Sequence, residues 1–257
     1  MIPAKATTEK SALLLIYTGG TIGMKEDPVI QALRPFDFSQ ILEEVPELGK
    51  FAYRVDSYTF DPLIDSSDVE PSLWKTLAAL IEERYDDYDG FVVLHGTDTM
   101  AYSASALSFM IEGLTKPVIF TGSQLPIGMP RTDGKENLIS AVEIAAAKDI
   151  NGHAMVPEVC ICFDNVLMRG NRTSKINSDN FRAFRSENLP PLAEAGINGG
   201  DLQHIGILYY GADGGDGISN SHFAVGIGHR RGSLLIGKEN LVGKLLQLLR
   251  ENEGGSV

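Results

Sequence analysis

Apolar runs that close in a polar turn and lead into a helical stretch recur along the chain, and they restrict its fold more than any other feature. Ala12–Tyr17 ends in Thr18-Gly19-Gly20-Thr21, and Phe91–Leu94 ends in His95-Gly96-Thr97-Asp98-Thr99. Val118–Phe120 ends in Thr121-Gly122-Ser123-Gln124, and Val159–Phe163 is the last of the set. Runs that are apolar throughout, instead of alternating, fit strands covered on both faces. The spacers have the helical period. Ser72–Arg84 carries Trp74, Leu77, Leu80 and Ile81. Ala101–Ile111 follows the capping candidates Thr97 and Asp98 and stops short of Gly113. Leu138–Ala147 is alanine-rich. Strands alternating with helices of these lengths need βαβ crossovers, which predicts an α/β fold with a mainly parallel sheet flanked by helices.

At roughly 150 residues per domain, 257 residues make one large domain, or one domain with an annex. The breakers Leu189-Pro190-Pro191-Leu192 and Asn198-Gly199-Gly200 lie within Ser186–Gly200 and mark a boundary. The expected division is a domain over 1–196 and a small, reduced α/β annex over 197–257. The annex holds strand-like runs at Ile205–Tyr210, Phe223–Ile227 and Ser233–Ile236, then an amphipathic helix at Leu241–Arg250. A unit of that size is too small to be comfortable alone and is expected to pack on the first domain or on another chain.

The balance of 22 basic against 34 acidic residues gives a net charge of −12, which repels phosphate backbones and argues against a nucleic-acid partner. No stretch reaches the ~18 apolar residues of a membrane span, and Ala12–Ile16 is too short for a signal-peptide core. Cys160 and Cys162 are two apart, so in a strand they share a face. They are expected to be reduced core thiols of a cytoplasmic protein. A lone Cys-x-Cys has no second pair of metal ligands, and neither a metal nor an organic cofactor is expected. Phosphate and nucleotide fingerprints fail on spacing around Gly128–Glu136 and Gly226–Gly232, and there is no nucleophile elbow. His95 stands at a strand end, where a structural hydrogen bond is the expected role.

Ligands of an open parallel sheet bind beyond the carboxyl ends of its strands. Separate turns present hydroxyls and charges there: Thr18 and Thr21; His95, Thr97, Asp98 and Thr99; Thr121, Ser123 and Gln124; and the stretch Arg169–Lys175. Asp65-Ser66-Ser67-Asp68 precedes the Trp74 helix. Each piece alone reads as a tight turn or a helix cap. Together they predict a small polar site made of many hydrogen bonds. A threonine hydroxyl is a weak nucleophile that needs a base or a polarised surrounding. Lys175 is the candidate base, and Thr–Lys–Asp can relay protons only where burial and hydrogen bonding offset the Asp98 field.

Tyr17-Thr18-Gly19-Gly20-Thr21-Ile22-Gly23 and Leu94-His95-Gly96-Thr97-Asp98-Thr99-Met100 resemble the two signature motifs of L-asparaginases, most closely the cytoplasmic type I bacterial form. Pro117–Pro126 and Arg169–Lys175 fit as well, and the resemblance runs from about Leu13 to about Gly196. It implies Thr21 as primary nucleophile on a mobile first loop, and Thr97 as second catalytic threonine with Asp98 and Lys175 as partners. Ser66 would bind the substrate carboxylate, flanked by Asp65 and Ser67, with Gly20 and Gly96 lining the site. Asp98 would also meet the substrate amine. The implied reaction is hydrolysis of L-asparagine to L-aspartate and ammonia through an acyl-threonine. Backbone N–H groups near Thr97 would steady the oxyanion. A homo-oligomer is implied, because family members complete the site with a neighbour's C-terminal domain.

The sequence departs from the family in two places. Met24–Phe36 contains no tyrosine where the first loop of relatives often carries an activating one. After Gly196 the family's C-terminal domain is not recognisable, and Asp213, Asp216 and Asn220 match no family position. A shortened, recombined or designed form is the expectation. Two alternatives stay open on the residues: an amino-acid-binding module without turnover, and a glutamine-acting amidase, since one methylene discriminates by only about 1–3 kcal/mol.

Overall fold

The computed structural model describes residues 11–27, 31–35, 41–149, 151–197, 205–209 and 223–226. The chain divides into two compact units, Met1–Glu194 and Ala195–Val257. In chain order the strands are β1 (Ala12–Tyr17), β2 (Met24–Asp27), β3 (Ala32–Pro35), β4 (Arg54–Thr59), β5 (Gly90–Leu94), β6 (Val118–Thr121), β7 (Val159–Phe163), β8 (Val166–Arg169), β9 (Thr173–Lys175), β10 (Phe184–Ser186), β11 (Ala193–Ile197), β12 (Ile205–Tyr209) and β13 (Phe223–Gly226). The helices are α1 (Ile41–Glu44), α2 (Pro71–Glu83), α3 (Met100–Met110) and α4 (Gly134–Ala146).

The first unit is built on a sheet in the order β11-β8-β7-β6-β5-β1-β4. β4, β1, β5, β6 and β7 run parallel, with registers such as Leu15↔Val92 and Val93↔Phe120. The predicted mainly parallel α/β fold is therefore the one observed. The central strands are buried on both faces, as their unbroken apolar sequence requires. Leu14, Ile16, Phe91, Val93 and Phe120 join Leu77, Ile81, Met100, Ala104 and Leu107 of α2 and α3 in one cluster. The alternate residues Leu13, Leu15, Tyr17, Val92, Leu94 and Ile119 are also fully buried, on the face that carries α4.

The parallel run ends at β7, which turns straight back into antiparallel β8. Asp164 and Asn165 make that two-residue turn with φ of 50° and 63°. Both values are left-handed, as a type I′ hairpin demands and as Asp and Asn tolerate best. Ala193 and Glu194 of β11 then pair antiparallel with β8. Cys160 and Cys162 of β7 are free and fully buried, and burial pushes the Cys162 thiol up to about 12, so neither is reactive. In the second unit β12 and β13 form an antiparallel ladder, Gly206↔Gly226 to Tyr209↔Phe223. These strands fall on the expected runs after 205 and 223. The expected strand Ser233–Ile236 and helix Leu241–Arg250 lie outside the described residues. No helix among the described residues is long and apolar enough to cross a membrane.

The structure corrects the expected caps. α2 opens on Pro71 at its first position with no side-chain cap, so Asp65–Asp68 does not cap it. Asp65 instead starts a 3-10 turn of its own over Ser66–Asp68. α3 opens after Thr99, also without a side-chain cap, which leaves Thr97 and Asp98 to other partners. α4 begins at Gly134, ahead of the expected Leu138.

Glu143 on α4 is 6% exposed, and its carboxyl is pushed up to about 7 by burial and by the charge of Glu136. Its folded pKa thus exceeds the unfolded value. Its stabilising contribution is complete below that unfolded value and is lost as pH rises towards 7. Glu143→Gln should raise Tm by several degrees at pH 8 and by little at pH 5. A gap of one pH unit between the folded and unfolded values corresponds to ~1.4 kcal/mol, and one kcal/mol moves Tm by roughly 2–4 °C in a chain of this size. Thermal unfolding of both proteins at the two pH values checks this.

Candidate active site

The strand order reverses direction around β1. The chain leaves β1 towards β4 and later leaves β5 towards β6 on the opposite side. The connections diverge between the carboxyl ends of β1 and β5, which opens the crevice where such sheets bind ligands. Thr18 spans the gap, with its backbone N and its hydroxyl both donating to Leu94 O at 3.0 Å. Ile64 N donates to Thr18 O at 2.9 Å, which draws the segment after β4 against the same point.

Glycines let these backbones meet. Gly20 has φ 92°, and a Cβ on it would lie 2.5 Å from Gly96 N. A Cβ on Gly96 would lie 2.3 Å from Ser66 Oγ, so the turns after β1, β4 and β5 touch at one place. Thr21 follows Gly20 and begins the 3-10 turn Thr21–Gly23, and Thr97 follows Gly96. Tyr17 supports that turn from below. Its hydroxyl donates to Gly20 O at 3.1 Å, and a Cβ on Gly23 would sit 2.2 Å from its ring. Burial raises the Tyr17 hydroxyl far above its ordinary value, so it is no base and does not substitute for a loop tyrosine.

Lys175, at the end of β9, reaches back to the turn before α3. Its Nζ donates to Thr97 Oγ1 and to Asp98 Oδ1, each at 2.8 Å. Ser66 Oγ donates to the other Asp98 oxygen at 3.4 Å. Thr99 Oγ1 donates to Ser66 O at 2.6 Å and fixes the 3-10 turn that carries Ser66. Ser66 and Thr97 are buried, whereas Asp65 and Ser67 are exposed. Asp65 accepts from Ser67 N and Ser67 Oγ, both at 2.9 Å, and these bonds hold its carboxyl below the usual range. Of the expected site residues, Thr97, Asp98, Lys175, Ser66, Gly20 and Gly96 converge directly. Thr21 stands one residue from the Gly20–Gly96 contact, and Asp65 and Ser67 form the outer edge.

His95 takes the structural part expected of it. Trp74 Nε1 donates to Ser103 Oγ at 2.9 Å, and Ser103 Oγ lies 3.0 Å from His95 Nε2. Ser103 therefore gives its proton to Nε2, and Nδ1–H faces Gly96 O at 2.7 Å. Burial lowers the His95 value, which keeps the ring neutral. Because the Gly96–Thr97 peptide is planar, anchoring its carbonyl on His95 turns the Thr97 N–H the opposite way.

Gln124 stands among the strand-end residues the sequence marks, without a role of its own, and Asp133 is not marked at all. Both carboxylate oxygens of Asp133 accept from Gln124 N, at 3.1 and 3.0 Å, and Oδ1 also accepts from Leu125 N at 3.1 Å. Gln124 Oε1 in turn accepts from Thr97 Oγ1 at 3.3 Å. The available signal was the position of Gln124 at a strand end. Beside the cluster lies a cavity of about 580 Å³ whose wall includes Asp98, Tyr102, Asn171, Thr173, Lys175 and Ser178. Asp98 and Lys175 face this cavity, while Thr97, Ser66 and Thr21 are not part of its wall. No group of His, Cys, Asp or Glu among the described residues is arranged to hold a metal ion.

The chain is a doubly wound α/β fold with a Thr97–Lys175–Asp98 cluster at the carboxyl ends of its parallel strands. A family model described as Asparaginase, N-terminal, matches residues 12–204, and the chain belongs to that family. It is 49% identical over 195 residues to L-asparaginase 1 of Escherichia coli, covering 74% of this chain and 55% of that protein. It is 42% identical over 218 residues to the 60 kDa lysophospholipase of Mus musculus, covering 76% of this chain and 37% of that protein. Among solved structures, L-asparaginase I from Vibrio cholerae matches with a TM-score of 0.65 and 48% identity. That match covers 74% of this chain and 55% of the other. The chain therefore spans about half the length, or less, of the curated relatives it matches.

The contact of Gly96 with Ser66 yields a direct test. Gly96→Ala forces Ser66 away and should cost roughly 1–3 kcal/mol of stability. Urea unfolding of the parent and the variant measures the loss.

Proposed function

We propose that the chain carries the catalytic domain of an L-asparaginase-type amidohydrolase, over residues 1–196, with residues 197–257 as its annex. The reaction is hydrolysis of L-asparagine to L-aspartate and ammonia. The observation that carries this reading is Lys175 Nζ at 2.8 Å from both Thr97 Oγ1 and Asp98 Oδ1, with Ser66 on the second Asp98 oxygen. The names of the E. coli and V. cholerae relatives support the choice of substrate.

In this reading Thr21 Oγ attacks the side-chain amide carbon. The new C–O bond forms first and gives a tetrahedral oxyanion; on its collapse the C–N bond breaks, ammonia leaves with the proton from Thr21, and an acyl-Thr21 ester remains. Water then adds to the ester and releases aspartate, restoring the Thr21 hydroxyl. The Thr97 N–H, turned away from His95, donates to the tetrahedral oxyanion. Ser66 binds the substrate α-carboxylate, and Asp98 binds the α-amine. Gly20 and Gly96 let the ligand approach the backbone, and Asp65 and Ser67 hold the turn around Ser66. An ammonium has donors and no lone pair. Lys175 as it stands therefore holds the Thr97 hydroxyl oxygen and the Asp98 carboxylate in place and is not the initial base.

The substrate reading extends to the protein's surroundings. Tyr102 and Phe109 are 68% and 74% exposed on α3, which supports pairing of the chain with a second copy. A cytoplasmic location follows the type I resemblance.

Ammonia release from asparagine should fall by about 10³-fold or more in Thr21→Ala and in Thr97→Val. Aspartate binding in the Thr21 variant should stay within a few fold of the parent, as calorimetry can measure. Release from asparagine should exceed release from glutamine in the parent. Tight aspartate binding with no ammonia from the unsubstituted chain at high concentration would instead identify a binding module.

A further inference from the structure

Gln124 makes contacts that none of the proposed catalytic roles uses. Its Nε2 donates to Ser178 O at 2.9 Å and to Asn180 O at 3.2 Å, while its Oε1 accepts from Thr97. Carbonyl oxygens only accept, so they fix which end of the amide faces which way. A flipped amide would set its oxygen against both carbonyls. Thr97 has one hydroxyl proton, and Lys175 Nζ already donates to its oxygen. The proton is therefore directed to Gln124, and the remaining lone pair of Thr97 is left to the site. The Gln124 backbone is itself held by Asp133, and Ser178 belongs to the wall of the cavity beside Lys175.

We propose that Gln124 is a positioning residue that holds the Thr97 hydroxyl as an acceptor towards Lys175 and ties it to the turn at Ser178–Asn180. Its effect on turnover rests on the catalytic reading of Thr97, whereas the tether does not. The turn after β9 and the hydroxyl before α3 then move together. Displacing one releases the hydroxyl rotor of the other.

The experiment has two arms on the full chain. In ¹⁵N-labelled protein, NMR should show the Gln124 side-chain amide protons exchanging with water at least about tenfold more slowly than those of exposed Gln31. Thr97→Val should shift the Gln124 amide signals. Exchange as fast as that of Gln31, or no response to Thr97→Val, overturns the tether. The second arm is kinetic. Gln124→Met keeps the length without hydrogen bonds and should lower kcat for asparagine by about tenfold, with KM changed less than about twofold. Gln124→Glu keeps the acceptor and regains one donor only when protonated. Its activity relative to the parent should rise as pH falls towards the ordinary glutamate value of about 4.3. An unchanged kcat in Gln124→Met, or a ratio for Gln124→Glu that is flat with pH, overturns the positioning role. A parent chain that releases no ammonia contradicts the proposed activity, and the exchange arm still decides the tether.

Discussion

The site depends on one ammonium group. Lys175 Nζ joins residues 77 and 78 positions away in the chain, Asp98 and Thr97, and so ties the end of β9 to the turn before α3. The pair is lopsided: 17% of the Lys175 side chain is exposed, against 61% for Asp98. An ion pair with one partner so wet is worth no more than about 1 kcal/mol to folding. Its value lies in position. It sets one proton donor between a hydroxyl and a carboxylate, at a place that the buried sheet on either side keeps rigid.

That rigidity comes from elements that do no chemistry. Gly19, Gly20 and Gly96 lack side chains where a Cβ would run into Ile64 O, Gly96 N and Ser66. Trp74, Ser103 and His95 form a chain from α2 through α3 to the Gly96 carbonyl, and it carries no net charge because burial keeps His95 neutral. Such a chain can hold a peptide plane fixed without the large cost of burying an ion. Tyr17 does the same under the turn that carries Thr21.

The sheet was legible because burial on both faces writes itself as unbroken apolar runs: β1 and β7 fall on the expected residues. The half-exposed edge strand β4 has no such run. Its sequence Arg54–Thr59 is mostly polar and only pairing with β1 makes it a strand. The β7–β8 hairpin has its signal in Asp164-Asn165, set between the apolar runs Val159–Phe163 and Val166–Met168, and the polar chain after Arg169 has the composition of a loop. The expected caps differ from the observed ones because a Thr or Asp before a helix looks the same whether it bonds to the helix or to a neighbouring loop. Thr97 and Asp98 take partners from β9 and the Ser66 turn, which no local pattern reveals. Gln124 is hidden for the same reason, since its partners at 178 and 180 are far along the chain.

A crystal structure of the chain with aspartate bound tests the convergence of these segments most directly. The α-carboxylate is expected on Ser66, the amine on Asp98, and the side-chain carboxyl between the Thr21 and Thr97 oxygens with Lys175 still on Thr97. Aspartate seated elsewhere, or a Thr21 oxygen too remote to touch a ligand held by Ser66 and Asp98, would contradict that convergence.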